Sequence, residues 1–323
     1  MAAPATLEIE ALSIAIDGRN VTRPVVDRVS LSVLPGEIVA VIGESGSGKT
    51  LTALAVLDLL PRQARVAGGA IRLKGVEVGT LSRDQRRRLL GDRIAFVPQD
   101  ALRALNPTHL IADQVGEPFV EHRGAPWDAA RRQSVGLLRA VHLDRPEERA
   151  REYPHQFSGG MQQRAMIAMG LALEPELLVA DEPTTALDVT VQAQVIALLR
   201  EVRDGRGTSI LFITHDLGLV ADFCDRVYVM YAGRIVEAGP VASVFEEPRH
   251  PYTRALMATT PSIVAARRLD AIPGQIPPLD ESVQGCIFAA RCPRAAERCR
   301  EDPALLEDAF RHAVRCWYPY GSS

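Results

Sequence analysis

Residues 43–50 read Gly43-Glu44-Ser45-Gly46-Ser47-Gly48-Lys49-Thr50, which fits the spacing G-x-x-x-x-G-K-[ST]. Glycines at these positions let successive backbone N–H groups turn inward on a phosphate, and a following helix N-terminus adds a positive dipole end. Lys49 then reaches the β and γ oxygens, and Thr50 binds Mg²⁺. A second run, Leu177-Leu178-Val179-Ala180-Asp181-Glu182, is apolar until it ends in two carboxylates. That order suits Asp181 to Mg²⁺ and Glu182 to an attacking water, with Glu182 as general base. In a third run, Phe157-Ser158-Gly159-Gly160-Met161-Gln162-Gln163-Arg164, a small hydroxyl and two glycines open an Ala/Met/Leu-rich stretch. Ser158 and the N–H groups of Gly159 and Gly160 would form a second helix start that seeks phosphate.

These groups need rigid elements to aim them. Ile38–Ile42 is continuously apolar and reads as a buried strand feeding the glycine-rich loop, and Leu51–Leu60 reads as a helix ending at Pro61. Strands are also expected at Leu7–Ile16 and Val29–Val33, with a turn at Pro35-Gly36, and again at Ile94–Val97, Leu177–Ala180 and Ser209–Thr214. Val191–Val202 suits a crossover helix, so strand and helix alternate as in a parallel sheet covered on both faces. Residues 101–165 lose β-branched runs and turn Arg-, Ala- and Leu-rich, which reads as a helical insert. Beyond Pro261 the composition shifts to Pro and Cys, marking a separate tail. The expected division is 1–260 for the nucleotide-binding domain and 261–323 for the extension, and no internal repeat or coiled-coil heptad is evident.

The chain's 323 residues, 47% hydrophobic, allow a large α/β domain with an appendage. A net charge of −3 gives no basic bias toward nucleic acid, and 5% aromatic content offers no platform for stacking bases. No run of about 18 apolar residues occurs, and the opening MAAPATLEIE lacks the build of a secretory signal. The expectation is a cytosolic chain that works at a membrane only through partner subunits. Cys224 stands apart beside Asp222 and Asp225 and reads as a packing thiol. Cys286, Cys292, Cys299 and Cys316 follow C-x5-C-x6-C-x16-C. In a reducing compartment four gathered thiols point to a metal or cluster site rather than disulfides. They match the number a [4Fe–4S] cluster requires; zinc ranks second because its usual close C-x2-4-C pair is missing.

The phosphate loop and the carboxylate-ended strand alone define a P-loop nucleoside triphosphatase, a broad class. With Ser158-Gly159-Gly160 the sequence resembles the ATP-binding-cassette (ABC) family. Further motifs follow in the family's order: Gln99 after the strand Ile94–Val97, Ala186-Leu187-Asp188 after the carboxylates, and His215 at the end of Ile210–Ile213. The resemblance implies an α/β P-loop core with an antiparallel β subdomain and a helical subdomain. It implies that Gln99 senses Mg²⁺ and the attacking water, that Asp188 communicates across a dimer, and that His215 hydrogen-bonds the γ-phosphate. The Ser158-Gly159-Gly160 signature of one subunit would close on the nucleotide held by the other's phosphate loop. One departure is Ile16, which aligns where the family commonly stacks adenine on an aromatic ring, leaving only apolar packing.

Within the family, Gln99-Asp100 followed by Ala104-Leu105-Asn106-Pro107 resembles the loop of oligopeptide and dipeptide importer ATPases that meets the membrane subunit. Pro248-Arg249-His250-Pro251-Tyr252-Thr253-Arg254-Ala255-Leu256, Ile272-Pro273-Gly274 and the cysteine-rich end resemble that subfamily's C-terminal extension. This resemblance implies a peripheral ATPase on the cytoplasmic face of the inner membrane. Its partners would be a second, related ATPase, two transmembrane permeases and an extracytoplasmic peptide-binding protein, with no nucleic acid. Nickel or another small solute is the alternative cargo, and a non-transport ABC ATPase the alternative role. The long coiled-coil insertion or tandem cassettes of repair and translation ATPases are not present in the sequence.

Overall fold

The computed structural model describes residues 4–17, 22–185, 187–259, 272–277 and 283–321. Ala186 of the predicted Ala186-Leu187-Asp188 motif and the predicted boundary at Pro261 lie outside them. The chain builds two compact units, one from 7–32, 38–76 and 213–323, the other from 33–37 and 77–212 together with the first residues.

The first unit opens with β1 (Leu7–Asp17) and β2 (Thr22–Val33). The wholly buried β3 (Ile38–Ile42) follows, then α1 (Lys49–Val56), β4 (Ala64–Leu73) and the short β5 (Val76–Glu77). Strand order β2-β1-β4-β5 forms a four-stranded sheet, with β1 and β4 antiparallel from Leu7↔Leu73 to Ile16↔Ala64. β2 is longer than the predicted Val29–Val33 because it runs through Pro24, a residue that argues against a central strand; β2 lies at the sheet edge, where a missing N–H costs no ladder bond. α1 departs from the predicted Leu51–Leu60 at both ends. It starts at Lys49, directly after the left-handed Gly48, and it stops at Val56 as Asp58 turns to a φ of +53°.

The second unit contributes α2 (Arg83–Asp92), entered through a reciprocal capping box between Ser82 and Gln85, and then β6 (Ile94–Val97). The predicted helical stretch comprises α3 (Ala101–Ala104), α4 (Ile111–Arg123), α5 (Trp127–Ala140), α6 (Pro146–Arg149) and α7 (Gly159–Gly170). Next come β7 (Leu177–Asp181), the crossover helix α8 (Val189–Arg206) and β8 (Ser209–Ile213). β6 and β7 pair in parallel from Ile94↔Leu177 to Val97↔Ala180. A two-pronged ion pair from Arg93 to Glu176 at 2.8–3.1 Å ties the entrances of these two strands together.

Returning to the first unit, the chain forms α9 (Leu217–Phe223), β9 (Arg226–Tyr231), β10 (Arg234–Pro240), α10 (Val241–Glu246) and α11 (Pro251–Ala258). Two short strands close it, β11 (Leu306–Glu307) and β12 (Ala313–Val314). Within this unit the order β11-β12-β10-β9-β3 places β9 parallel to β3 and antiparallel to β10. Tyr231, Tyr252 and Phe288 pack edge to face in its core with ring centres 4.6–5.5 Å apart. Among the described residues no helix is long and apolar enough to cross a membrane.

Candidate functional site

The phosphate loop leaves β3 at a point where only glycine fits. A Cβ on Gly43 would stand 2.1 Å from the Met230 carbonyl oxygen, and one on Gly48 (φ +104°) 2.8 Å from the Met230 side chain. β9 therefore presses on the loop from behind. Ser47 is fully buried, its N–H donates to the Glu44 carbonyl at 3.2 Å, and its own carbonyl accepts from Gly233 N–H at 2.8 Å. Lys49 is buried, and its Nζ donates to the carbonyls of Gly43 at 2.8 Å and Glu44 at 2.9 Å. The loop is thus closed by its own lysine, whose ammonium sits inside the curve of Gly43–Gly48. Ser45, Gly46 and Thr50 are exposed. An anion with several oxygens fits this cradle, offered backbone donors from the glycine-rich turn and one buried cation.

In the same unit Thr214 N–H donates to the Val41 carbonyl at 3.3 Å, which places the exposed His215 beside the strand that ends in the phosphate loop. Thr214 Oγ1 accepts from Asp216 N–H at 3.0 Å, and Asp216 Oδ1 caps α9 through Gly218 N–H at 2.9 Å. His215 is held in this turn between strand and helix. Ile16 lies on β1 opposite Ala64, half-buried and with no aromatic role to supply.

Two residues to which the sequence alone gave no role grip the loop at Glu44. Glu44 N–H donates to the Tyr252 hydroxyl at 2.8 Å, and the Glu44 carboxylate accepts two hydrogen bonds from Arg291 at 2.7 and 3.1 Å. Tyr252 belongs to the Pro248–Leu256 run, whose spacing says nothing of the phosphate loop; Arg291 carries no signal beyond its place between two cysteines. Burial pushes the Tyr252 phenol well above its ordinary range, so it stays protonated.

The second unit assembles the carboxylates. Asp181 is buried at the end of β7, and Glu182 follows it with a φ of +47°, left-handed backbone that a non-glycine residue adopts at a cost of order 1–3 kcal/mol. The Glu182 carboxylate is held from two sides: Gln99 Nε2 donates to Oε2 at 2.8 Å and Thr185 Oγ1 donates to the same oxygen at 2.9 Å. Both donors are neutral, and together they fix the orientation of the carboxylate. The structure thus brings Gln99 and Glu182 together, along with Thr185, to which the sequence gave no role.

Ser158 and Asp188 both act as helix caps. Ser158 Oγ accepts from Met161 N–H at 3.4 Å at the start of α7, and Asp188 Oδ1 accepts from Val191 N–H at 3.0 Å at the start of α8. The two helix starts touch: a Cβ on Gly160 would lie 2.4 Å from Val191 Cγ1, and one on Gly159 3.8 Å from Leu187 Cδ2. A side chain at Gly160 would wedge the helix starts apart.

The four C-terminal cysteines are free thiols within the first unit, Cys286 and Cys299 buried and Cys292 and Cys316 half-buried. Cys286 N–H donates to the Cys299 carbonyl at 2.8 Å, and backbone N–H groups of Arg294 and Tyr318 point at the sulfurs of Cys292 and Cys316, each at 3.4 Å. Burial pushes the Cys286 and Cys292 thiols up and raises Cys316 to about 11, with neighbouring cysteines of the set adding to each rise. The sulfurs therefore sense one another. Yet among the described residues no three His, Cys, Asp or Glu side chains close on the position of one metal ion. Burial pushes the Cys224 thiol far above its usual range, which makes it inert.

Residues 26–185 match the family described as ABC transporter, and residues 236–299 match the oligopeptide/dipeptide transporter C-terminal region. The chain is 47% identical over 315 residues to a probable peptide ABC transporter ATP-binding protein of Sinorhizobium fredii, covering 96% of this chain and 94% of that one. It is 41% identical over 317 residues to a dipeptide transport ATP-binding protein of Escherichia coli, covering 98% and 97%. Among solved structures it resembles a dimeric ATP-binding cassette in a post-hydrolysis state bound to ADP and Pi, with a TM-score of 0.66, 26% identity and coverage of 73% of this chain and 98% of that one.

Proposed function

Since the chain belongs to the family of ABC transporter ATP-binding proteins, we propose that it is the ATP-hydrolysing subunit that powers import of peptides. The phosphate loop carries this reading, with its lysine buried inside the curve and two glycines where no side chain fits. Gly43–Thr50 bind the ATP phosphates. Glu182, steadied by Gln99 and Thr185, takes the proton of the attacking water, and His215 holds the γ-phosphate in line. Thr50, Gln99 and Asp181 would hold Mg²⁺, which when bound offsets charge on the phosphate oxygens. Ser158, Gly159 and Gly160 close on the nucleotide of a second ATP-binding subunit, and Asp188 relays between the two.

Partners come with the same reading: a related second ATPase, two permease subunits that cross the membrane, and an extracytoplasmic peptide-binding protein, with this chain peripheral on the cytoplasmic face. The cassette spans 1–260 with a helical subdomain at about 101–165, and 261–323 forms a cysteine-rich extension. In that extension Cys286, Cys292, Cys299 and Cys316 bind a [4Fe–4S] cluster, zinc being the alternative. Anaerobic purification with iron and sulfide assay decides between them: about four of each per chain supports the cluster, and zinc or no metal removes it.

The ATPase assignment is tested by two substitutions. Lys49→Ala removes the buried cation and abolishes ATP binding, while Glu182→Gln preserves binding, stops turnover and traps the closed dimer. Equal loss of binding in both variants would sink the roles given to these residues.

A further inference from the structure

Glu44 introduces a negative charge into a loop whose other polar groups attract phosphate, and the structure supplies a specific answer to it. The Arg291 side chain is 4% exposed and sits two-pronged on the Glu44 carboxylate, Nη1 to Oε2 at 2.7 Å and Nη2 to Oε1 at 3.1 Å. Its remaining donors are committed as well: Nε to the Pro273 carbonyl at 2.8 Å, Nη2 to the Ile272 carbonyl at 3.3 Å and Nη1 to the Tyr231 hydroxyl at 3.3 Å. The guanidinium is therefore fixed in plane and cannot follow Glu44 elsewhere. Glu44 is anchored at its backbone too, its N–H by Tyr252 and its carbonyl by Lys49.

We propose that Arg291 is a positioning residue for the phosphate loop: it neutralises and pins Glu44, and so makes nucleotide affinity depend on the segment that carries the cysteines. Arg291 ends the single turn Ala289–Arg291, which is held at its start by Ala289 N–H on the Cys286 carbonyl at 3.0 Å and at its end by Cys292 N–H on the Ala289 carbonyl at 3.2 Å. Whatever orders Cys286 and Cys292 orders the arginine between them. Without Arg291, Glu44 becomes a bare carboxylate beside the phosphates, opposing the nucleotide by charge and freeing the loop to move. The inference rests on the reading of residues 43–50 as the ATP site.

The test is an equilibrium titration of the full chain with a fluorescent ADP analogue. Arg291→Met is expected to weaken binding about tenfold or more, because it leaves a like charge beside the phosphates. Adding Glu44→Gln to Arg291→Met removes the offending charge and is expected to bring affinity back to within about threefold of wild type. A purely architectural role for Arg291 would leave that double variant as weak as the single one, and this result, or unaltered binding by Arg291→Met, would overturn the proposal. Should Arg291→Met fail to fold, Arg291→Gln takes its place in the same pair of variants, an about tenfold loss that Glu44→Gln reverses being expected and unaltered binding overturning the idea. Lys49→Ala serves as the control, since undiminished binding in that variant would refute the ATP-site reading itself rather than the role of Arg291.

Discussion

His250 ties the stability of the phosphate-loop unit to pH. Its side chain is buried, 1% exposed, at the start of α11, where Nδ1 accepts the N–H of Tyr252 at 3.0 Å, and the same Tyr252 holds Glu44 through its hydroxyl. Burial lowers its pKa from 6.5 to about 4, against the opposing pull of the Glu237 carboxylate and a backbone hydrogen bond with Arg315. The folded chain therefore keeps His250 neutral at a pH where the unfolded chain binds a proton. The unfolded state is favoured by acid, so stability is complete above pH 6.5 and drains away as pH falls from 6.5 toward 4. The gap between those two values corresponds to on the order of 3 kcal/mol at its fullest. His250→Asn keeps an oxygen that can accept Tyr252 N–H but removes the titration. Urea unfolding followed by Trp317 fluorescence in a Trp127→Phe background reports this unit. The stability of the wild type minus that of His250→Asn should fall by on the order of 3 kcal/mol between pH 7 and pH 4, whatever constant offset the smaller side chain introduces. Parallel stability curves across that range would refute the assignment of a buried, neutral His250.

Three further outcomes are expected. Gly160→Ala should cost about 1–3 kcal/mol by driving its methyl into Val191, and Val191→Ala should restore most of it; thermal unfolding checks both, and a full cost in the double variant would contradict the packing. Thr185→Val and Gln99→Leu each remove one donor from the Glu182 carboxylate and should lower kcat for ATP hydrolysis by about tenfold or more while KM for ATP stays nearly constant, so a rise in KM alone would show that these residues bind nucleotide rather than steady the base. Asp188→Ala should lose about 1 kcal/mol of thermal stability with the cap on Val191 N–H, and Asp188→Asn should keep most of it.

The parts of the site that were legible are those packed into a short span of chain. Gly43–Thr50 carries its glycines, lysine and hydroxyl in one segment, and β3, wholly buried, was readable because five apolar residues run straight into it. Asp181 and Glu182 were readable for the same reason, as the polar end of an apolar strand. α2 left its capping signal in plain view, Ser82 with Gln85 three positions on, but its many arginines dilute the apolar periodicity that usually draws attention to a helix. The length of β2 was hidden by Pro24, since nothing local tells an edge strand from a central one.

What sequence could not disclose is contact across distance. Glu44 and Arg291 are separated by 247 positions, and Gln99 and Glu182 by 83. Each residue of the second pair was singled out by the family's order of motifs, though not their contact, and the first pair had no such order to expose it. The shift toward prolines and cysteines beyond Pro261 led the sequence reading to a separate tail, but a change of composition does not show where a segment packs. Here β12 pairs with β10, His312 Nε2 meets the buried Glu237 at 2.7 Å, and Arg291 reaches the phosphate loop. Glu237 also accepts the N–H groups of Arg249 and His250 at 2.7 and 2.9 Å. One buried carboxylate therefore joins β10, the entrance of α11 and the strand-bearing end of the chain. Tyr252 is tied to that junction through His250, whose Nδ1 accepts the Tyr252 N–H, so a fault at Glu237 should reach Glu44 through the Tyr252 contact, whereas a fault at Arg291 should reach it through the ion pair.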